Sequence, residues 1–242
     1  MADFLGEGVQ VYQSDFIALN NSGVVGKATV LLDSNTQTVT VDIQAKGLEP
    51  NQIHVQHIHG FDDDRNATPP TIAQDTDLDG FVELAEGLDR YGPIQLNLTL
   101  NPEDSVHDHG TSGHDHTDAA VFPMADANGN LNYRETFYFS AADLNAQAIF
   151  DSITPLDVKE IVLHGQSVAA GSGAGTDGEV DGTAGYKLVL PVASGELYLL
   201  TGQDAITALG MFDHADADQA VDWNAIAAQV EANFASTGNW FF

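Results

Sequence analysis

Three histidines stand close together in one apolar run of the chain, His54-Val55-Gln56-His57-Ile58-His59-Gly60. Side chains two residues apart on a β-strand point to the same face, so His57 and His59 lie on one side, about 6–7 Å apart. Far downstream, a similar apolar run, Ile161-Val162-Leu163, is followed by another histidine and a glycine, His164-Gly165. Imidazole is a common transition-metal ligand, so the pattern predicts a site formed by His57, His59 and His164. The alternative is that these histidines are polar strand residues facing water.

The ligand type restricts the metal. Three imidazoles suit Cu(II), Zn(II) or Ni(II), and copper has the highest intrinsic affinity of the three. Three nitrogens with one open position also resemble a catalytic zinc site, in which water takes the fourth place. The chain has no cysteine, which excludes thiolate ligands, disulfides and cysteine nucleophiles. The prediction is therefore copper or zinc.

A second group of histidines lies in the polar stretch at residues 101–118. It consists of His107, His109, His114 and His116, each next to an aspartate. Flexible tracts rich in histidine and aspartate bind metals loosely, so one of these rings is a candidate auxiliary ligand. The alternative is a solvated polar loop, and His214 is predicted to be a surface residue.

A twelve-residue segment fits the calcium-binding loop pattern. Carboxylates occupy positions 1, 3 and 5, glycine occupies position 6, a backbone carbonyl is offered at position 7, and carboxylates return at positions 9 and 12. The residues are Asp75, Asp77, Asp79, Gly80, Phe81, Glu83 and Glu86. Thr68-Pro69-Pro70 before the loop and Gly87 after it disfavour two long flanking helices. We therefore expect a structural calcium loop inserted in a β domain; the alternative is an acidic solvated loop.

The composition restricts partners and location. Seven Lys and Arg against 36 Asp and Glu give a formal net charge of −29, which disfavours binding to nucleic acid or to anionic membranes. No segment of 18 apolar residues is present, so no membrane span is predicted. An acidic surface and a calcium loop favour an extracellular or cell-surface protein; the alternative is that the acidic surface only keeps the protein soluble. Residues 1–6 do not resemble a secretory signal, whereas Thr237–Phe242 resembles the tails used by type I secretion systems; the alternative for this tail is an apolar strand closing the domain edge.

Short alternating segments separated by turn residues predict an all-β protein, an antiparallel sandwich or barrel. A short inserted helix is expected at residues 141–150, with Ser140 as its N-cap. Residues 61–92 are acidic and are expected to be irregular. Apolar residues at helical spacing around Trp223 and Val230 predict a helix near the C-terminus. We predict one β-sandwich over about residues 5–200 and a helical C-terminal appendage at 203–242.

The histidine strand resembles the copper strand of copper/zinc superoxide dismutases. The pattern His54-x-x-His57-x-His59-Gly60 carries this likeness, and Ile161–His164 is similar to the later strand that supplies another copper ligand. The resemblance implies that His57, His59 and His164 bind the metal, that His54 supports the site from behind, and that the sandwich has Greek-key topology.

A wider resemblance, over most of residues 8–200, is to bacterial proteins of the chordin-domain (CHRD) family. It is carried by the segments Asn20–Gly23, Gly47–Pro50, Gln56–Gly60, Gly87–Leu88, Tyr91–Ile94 and Tyr186–Pro191. This family is a β-sandwich family with dismutase-like strand patterns, and no settled activity comes with it. The resemblance therefore implies a fold more than a function.

The chain departs from the dismutase pattern in several respects. It has no Gly-Pro-His segment for the histidine that bridges copper and zinc, no histidine-rich zinc loop, and no disulfide. Arg65, Arg90 and Arg134 are its arginines, and none stands in the context of the superoxide-guiding residue. Three hypotheses remain open: an exported, calcium-stabilised metal-binding protein, a copper-dependent dismutase-like oxidoreductase, and a structural surface or matrix protein that holds calcium alone. Metal ions are the expected partners, together with a homo-oligomer or surface-layer partner.

Overall fold

The computed structural model describes residues 8–106 and 121–213. These residues form ten strands that follow the alternating segments of the sequence. The strands are β1 (Val9–Asp15), β2 (Ile17–Ala18), β3 (Val25–Asp33), β4 (Thr38–Lys46), β5 (Gln56–His59), β6 (Ile94–Asn97), β7 (Asn130–Tyr138), β8 (Glu160–Val168), β9 (Gly185–Glu196) and β10 (Tyr198–Leu199).

The strands form two antiparallel sheets. The first sheet has the order β10-β1-β3-β4-β7, and the second has the order β2-β9-β8-β5-β6. Strands β6 and β7 lie between β5 and β8 in the sequence, but β8 pairs with β5 in the second sheet. This is a Greek-key connection. The prediction of an all-β antiparallel sandwich is confirmed.

The core lies between the two sheets. Val30, Val41 and Ile43 of the first sheet and Ile58 and Ile161 of the second are fully buried in one continuous cluster. Burying side chains of this size stabilises the fold by about 1.5–3 kcal/mol each. Because side chains alternate along a strand, the neighbours of Ile58 and Ile161 point to the opposite, outer face of the second sheet.

The described residues also form four α-helices: α1 (Leu84–Tyr91), α2 (Pro102–Ser105), α3 (Leu144–Ile153) and α4 (Gly202–Asp213). Helix α3 is the predicted inserted helix, but the predicted start at Ala141 is wrong by three residues. Its N-cap is Asp143, whose carboxylate accepts the N–H groups of Asn145 and Ala146. A carboxylate that accepts two amides and lies at the positive end of the helix is a stronger cap than the Ser140 hydroxyl.

Helix α1 was not expected, because residues 61–92 were predicted to be irregular. It begins with a reciprocal capping box between Glu83 and Glu86 and ends at Tyr91, followed by the C-cap Gly92 with a φ of 79°. Glutamate is not among the usual N-cap residues, so the sequence contains little signal for this start. The prediction is wrong over residues 84–91.

Helix α4 begins the predicted C-terminal appendage. It contacts β1, its Ala205 and Ala208 are buried, and the Arg134 guanidinium lies over the Phe212 ring at 5.3 Å. Residues 214–242, including the predicted helix around Trp223 and the aromatic tail, lie outside the described residues. No helix in the described ranges has both the length and the apolar character needed to cross a bilayer.

Candidate metal centre

His57, His59 and His164 meet on the outer face of the second sheet. β5 pairs antiparallel with β8, so that His57 lies opposite Val162 and His59 lies opposite Glu160. Ile58 and Ile161 point into the core, and the histidines therefore point away from it. All three side chains are nevertheless buried, with at most 1% of their surface exposed.

The three rings are within reach of one ion. One ring nitrogen from each histidine lies within 4.8 Å of the other two, and the ring centroids are 5.2, 5.5 and 6.1 Å apart. Zinc–nitrogen bonds of about 2.0–2.1 Å in a tetrahedral site place the nitrogens about 3.3 Å apart. Small side-chain rotations would therefore bring all three nitrogens onto one metal.

Irregularities in the strand pairing occur at two of the three histidines. The β8–β9 register shifts on both sides of His164, and the β5–β6 register shifts between Ile58 and His59. Bulges of this kind redirect a side chain and are frequent beside functional sites. Gly165, with a φ of 109°, follows His164, and a Cβ there would overlap the Tyr186 hydroxyl.

Backbone carbonyls orient two of the rings. His59 Nδ1 lies 2.8 Å from the Gly92 carbonyl oxygen, and His164 Nδ1 lies 2.7 Å from that of Val189. A carbonyl only accepts hydrogen bonds, so each Nδ1 carries a proton, and in the neutral ring the lone pair is then on Nε2. Donation of the other ring N–H to a carbonyl is the usual support of a metal-binding histidine.

Two buried aromatic rings cover the histidines. Tyr91, at the end of α1, packs edge-on against His59 with ring centroids 4.7 Å apart, and its hydroxyl donates to the Leu84 carbonyl. Phe122 packs edge-on against His57 at 5.5 Å. Both side chains are at least 95% buried, and the centre is therefore shielded from bulk water.

His54 lies behind the centre, in the segment that leads into β5. Its ring nitrogens lie 2.8 Å from the His164 carbonyl oxygen and 3.1 Å from that of Glu49. Burial lowers the pKa of His54, although the two carbonyls and the Glu49 carboxylate favour the charged ring. His54 thus contacts the main chain of the residue that bears a predicted ligand.

The predicted calcium loop brings together three of its carboxylates. Oxygens of Asp75, Asp77 and Glu86 lie within 4.8 Å of one another. Gly80 has a φ of 92°, which is the conformation that position 6 requires of a glycine. A single 3₁₀ turn (Ile72–Gln74) precedes the loop and the eight-residue α1 follows it, so the loop is not flanked by two long helices.

The other predicted calcium ligands do not belong to that group. Asp79 accepts a hydrogen bond from the Phe81 N–H. Glu83 accepts one from the Val180 N–H, which belongs to the segment at residues 169–184. The Phe81 ring packs against Val168, Val180 and Leu190. Burial raises the pKa of Glu83 to about 7, with further contributions from Glu179, Asp79 and Asp77. Negative charge therefore accumulates here, as it does in loops that bind a hard cation.

Sequence reasoning missed Glu160. It lies opposite His59, it is fully buried, and burial and the nearby Glu196 raise its pKa well above the usual range while Arg90 lowers it. A charged residue within an apolar strand usually marks a position that faces solvent, so the sequence carries no signal for this burial. His107, His109, His114 and His116 lie outside the described residues.

Comparisons with known proteins add little to this geometry. No family model and no curated protein matches the chain, so membership in the CHRD family stays a prediction. The chain is similar to a solved structure described as a SOD-like protein from Bacillus subtilis. The identity is 14%, the match covers 77% of this chain and 97% of that chain, and the TM-score is 0.38.

Proposed function

We propose that this protein binds a transition-metal ion, copper or zinc, through His57, His59 and His164. The observation that carries the proposal is the approach of one nitrogen from each ring to within 4.8 Å of the others in a buried layer. A neutral three-imidazole set fits these two metals by ligand type.

The residues of the chain would hold and shield the ion. The Gly92 and Val189 carbonyls hold two rings through Nδ1, so Nε2 is the atom that would coordinate the ion, and Tyr91 and Phe122 limit access of water. When bound, copper would supply one-electron redox chemistry, whereas zinc would supply Lewis acidity. The geometry supports binding more directly than it supports a particular reaction.

A calcium ion in the loop at residues 75–86 is the second part of the proposal. The approach of Asp75, Asp77 and Glu86 supports it. The pKa of Glu83 in the same loop and of the nearby Glu179 is raised, first by burial and further by repulsion from the surrounding carboxylates. A hard divalent cation with oxygen ligands would relieve this repulsion. Location outside the cell stays a prediction from the sequence.

Metal binding is tested by titrating chelator-treated protein with Zn²⁺ and Cu²⁺ and measuring stoichiometry by calorimetry and elemental analysis. We expect one tightly held ion per chain, and His57→Ala, His59→Ala and His164→Ala should each weaken binding by at least about 100-fold. His214→Ala is the matched control and should leave the affinity unchanged. Equal binding by the wild type and the three variants would contradict the proposal.

A superoxide assay on the copper-loaded protein separates the two remaining hypotheses. Fast dismutation that is lost in His164→Ala favours the oxidoreductase. Tight binding without dismutation favours a metal-binding protein.

A further inference from the structure

Glu160 lies in the same layer as the histidine centre. Its cross-strand partners are His59 on β5 and Glu196 on β9. The next residue, Ile161, points into the core, so Glu160 points to the outer face, as the three histidines do. Residues directly opposite on antiparallel strands have Cβ atoms about 4.5–5.5 Å apart, so the side chains of Glu160 and His59 start next to each other on one face of the sheet.

Nothing in the described part of the chain compensates this carboxyl group at short range. It is fully buried, and no hydrogen-bond donor among the described residues reaches either oxygen. Buried polar atoms are nearly always paired, and an isolated buried carboxylate is strongly unfavourable. Such a residue lowers the stability of the metal-free protein, and its presence is explained best by a bound cation that compensates its charge.

The histidine centre lacks negative charge of its own, because imidazole ligands are neutral when they bind a metal. The other carboxylates that are buried in the described residues, Asp42, Asp75 and Glu83, lie on β4 or at the acidic loop. Glu160 is therefore the buried carboxylate on the two strands that carry the histidines.

We propose that Glu160 is the counter-charge of the histidine centre and makes it prefer a divalent over a monovalent metal ion. The inference rests on the proposed function, since it requires that the three histidines bind a metal. Attraction between a carboxylate and an ion is proportional to the charge of the ion, so Zn²⁺ gains twice the free energy that Cu⁺ gains. A carboxylate that improves Cu⁺ binding about 5-fold thus improves Zn²⁺ binding about 25-fold.

The test measures affinities for Zn²⁺ and, under anaerobic conditions, for Cu⁺ by competition with chromophoric chelators. Glu160→Gln keeps the shape and removes the charge; it should weaken Zn²⁺ binding about 25-fold and Cu⁺ binding about 5-fold. Glu160→Met should give the same pattern and should also raise the melting temperature of the metal-free protein, because it removes a buried carboxyl group that lacks a partner. This second variant keeps the test valid if the amide impairs folding.

The matched control is Glu196→Gln, which removes an exposed carboxylate from the other cross-strand partner of Glu160. It should change both affinities less than about 2-fold, because solvent screens its charge. Equal losses of Zn²⁺ and Cu⁺ affinity in the Glu160 variants, or no loss, would overturn the inference while histidine-dependent binding persists. Failure of the proposed function has a different signature, namely a wild-type protein that binds neither ion or binds both without the histidines.

Discussion

At the scale of single residues, the proposed centre depends on which ring nitrogen of each histidine binds the main chain and which one faces the metal position. The Gly92 and Val189 carbonyls orient the His59 and His164 rings and fix their tautomers before any metal arrives. His54 contributes differently, through the main chain of His164. These contacts reduce the conformational freedom that a metal would otherwise have to remove on binding.

The burial of His54 predicts a pH dependence of stability. Its folded pKa is lowered from 6.5, so below pH 6.5 the unfolded chain binds a proton that the folded chain resists. The contribution of the neutral ring is present above that pH and is lost as the pH falls. The free-energy difference between wild type and His54→Asn, measured by urea denaturation with a chelator present, should therefore shrink between pH 7.5 and pH 5. A difference that stays constant with pH would contradict this assignment.

At the scale of elements, three pieces of chain separated in sequence form the site. Strands β5 and β8 supply the proposed ligands, the irregular registers at His59 and His164 orient them, and α1 brings Tyr91 and the Gly92 carbonyl against His59. Because α1 starts within the acidic loop, its position depends on how that loop is folded. The helix therefore joins the proposed calcium loop to the proposed metal centre.

A substitution at the end of α1 tests this role. Gly92 has a φ of 79°, and a Cβ there would overlap the Gly60 carbonyl oxygen. Gly92→Ala should therefore lower the free energy of unfolding by about 1–3 kcal/mol and displace the carbonyl that orients His59, which weakens Zn²⁺ binding.

Gly175→Ala is the matched control for that substitution. Gly175 has a φ of 96°, and a Cβ there would meet no atom within 4 Å. It carries the same backbone penalty without the contact, so it should lower stability but leave Zn²⁺ affinity unchanged. Similar affinities for the two glycine variants would exclude a role for α1 in positioning His59.

At the scale of the whole molecule, charge is the dominant feature. The formal net charge is −29 on 242 residues, and repulsion among the negative charges destabilises the folded state. The chain has no cysteine, so no disulfide offsets this repulsion. In the acidic loop, burial raises the pKa of Glu83, and it does the same for Glu179 nearby; surrounding carboxylates add to both shifts. Bound cations would therefore stabilise the fold as well as serve any chemistry.

Removal of calcium should lower the melting temperature. A ligand present at 100 times its dissociation constant stabilises the folded state by about 2.7 kcal/mol, which corresponds to roughly 5–10 °C for a chain of this size. Differential scanning calorimetry with Ca²⁺ and with EGTA should give this shift in the wild type, and Asp75→Asn should abolish most of it. Asp89→Asn, an exposed carboxylate on α1, should keep the full shift. An unchanged melt on chelation would remove calcium from the proposal.

Local features of this protein follow from the chain alone. Alternating residues predicted the strands, and the two-residue period placed His57 and His59 on one face, because these properties depend on neighbours in the chain. The spacing of carboxylates and Gly80 predicted the acidic loop for the same reason. The start of α3 at Leu144, with Asp143 as its N-cap, and the presence of α1 were missed, because caps are decided by which side chain reaches the first amides.

Which distant groups meet depends on the tertiary fold. The pairing of β5 with β8 brings His164 to His57 across more than a hundred residues, and no local pattern specifies that register. Packing of distant segments against one another buries Glu160 next to His59 and places the Gly92 carbonyl oxygen against the His59 ring. The candidate histidines could therefore be predicted from the chain, whereas their convergence, their orientation and the buried carboxyl group beside them follow from contacts between segments that the sequence keeps far apart.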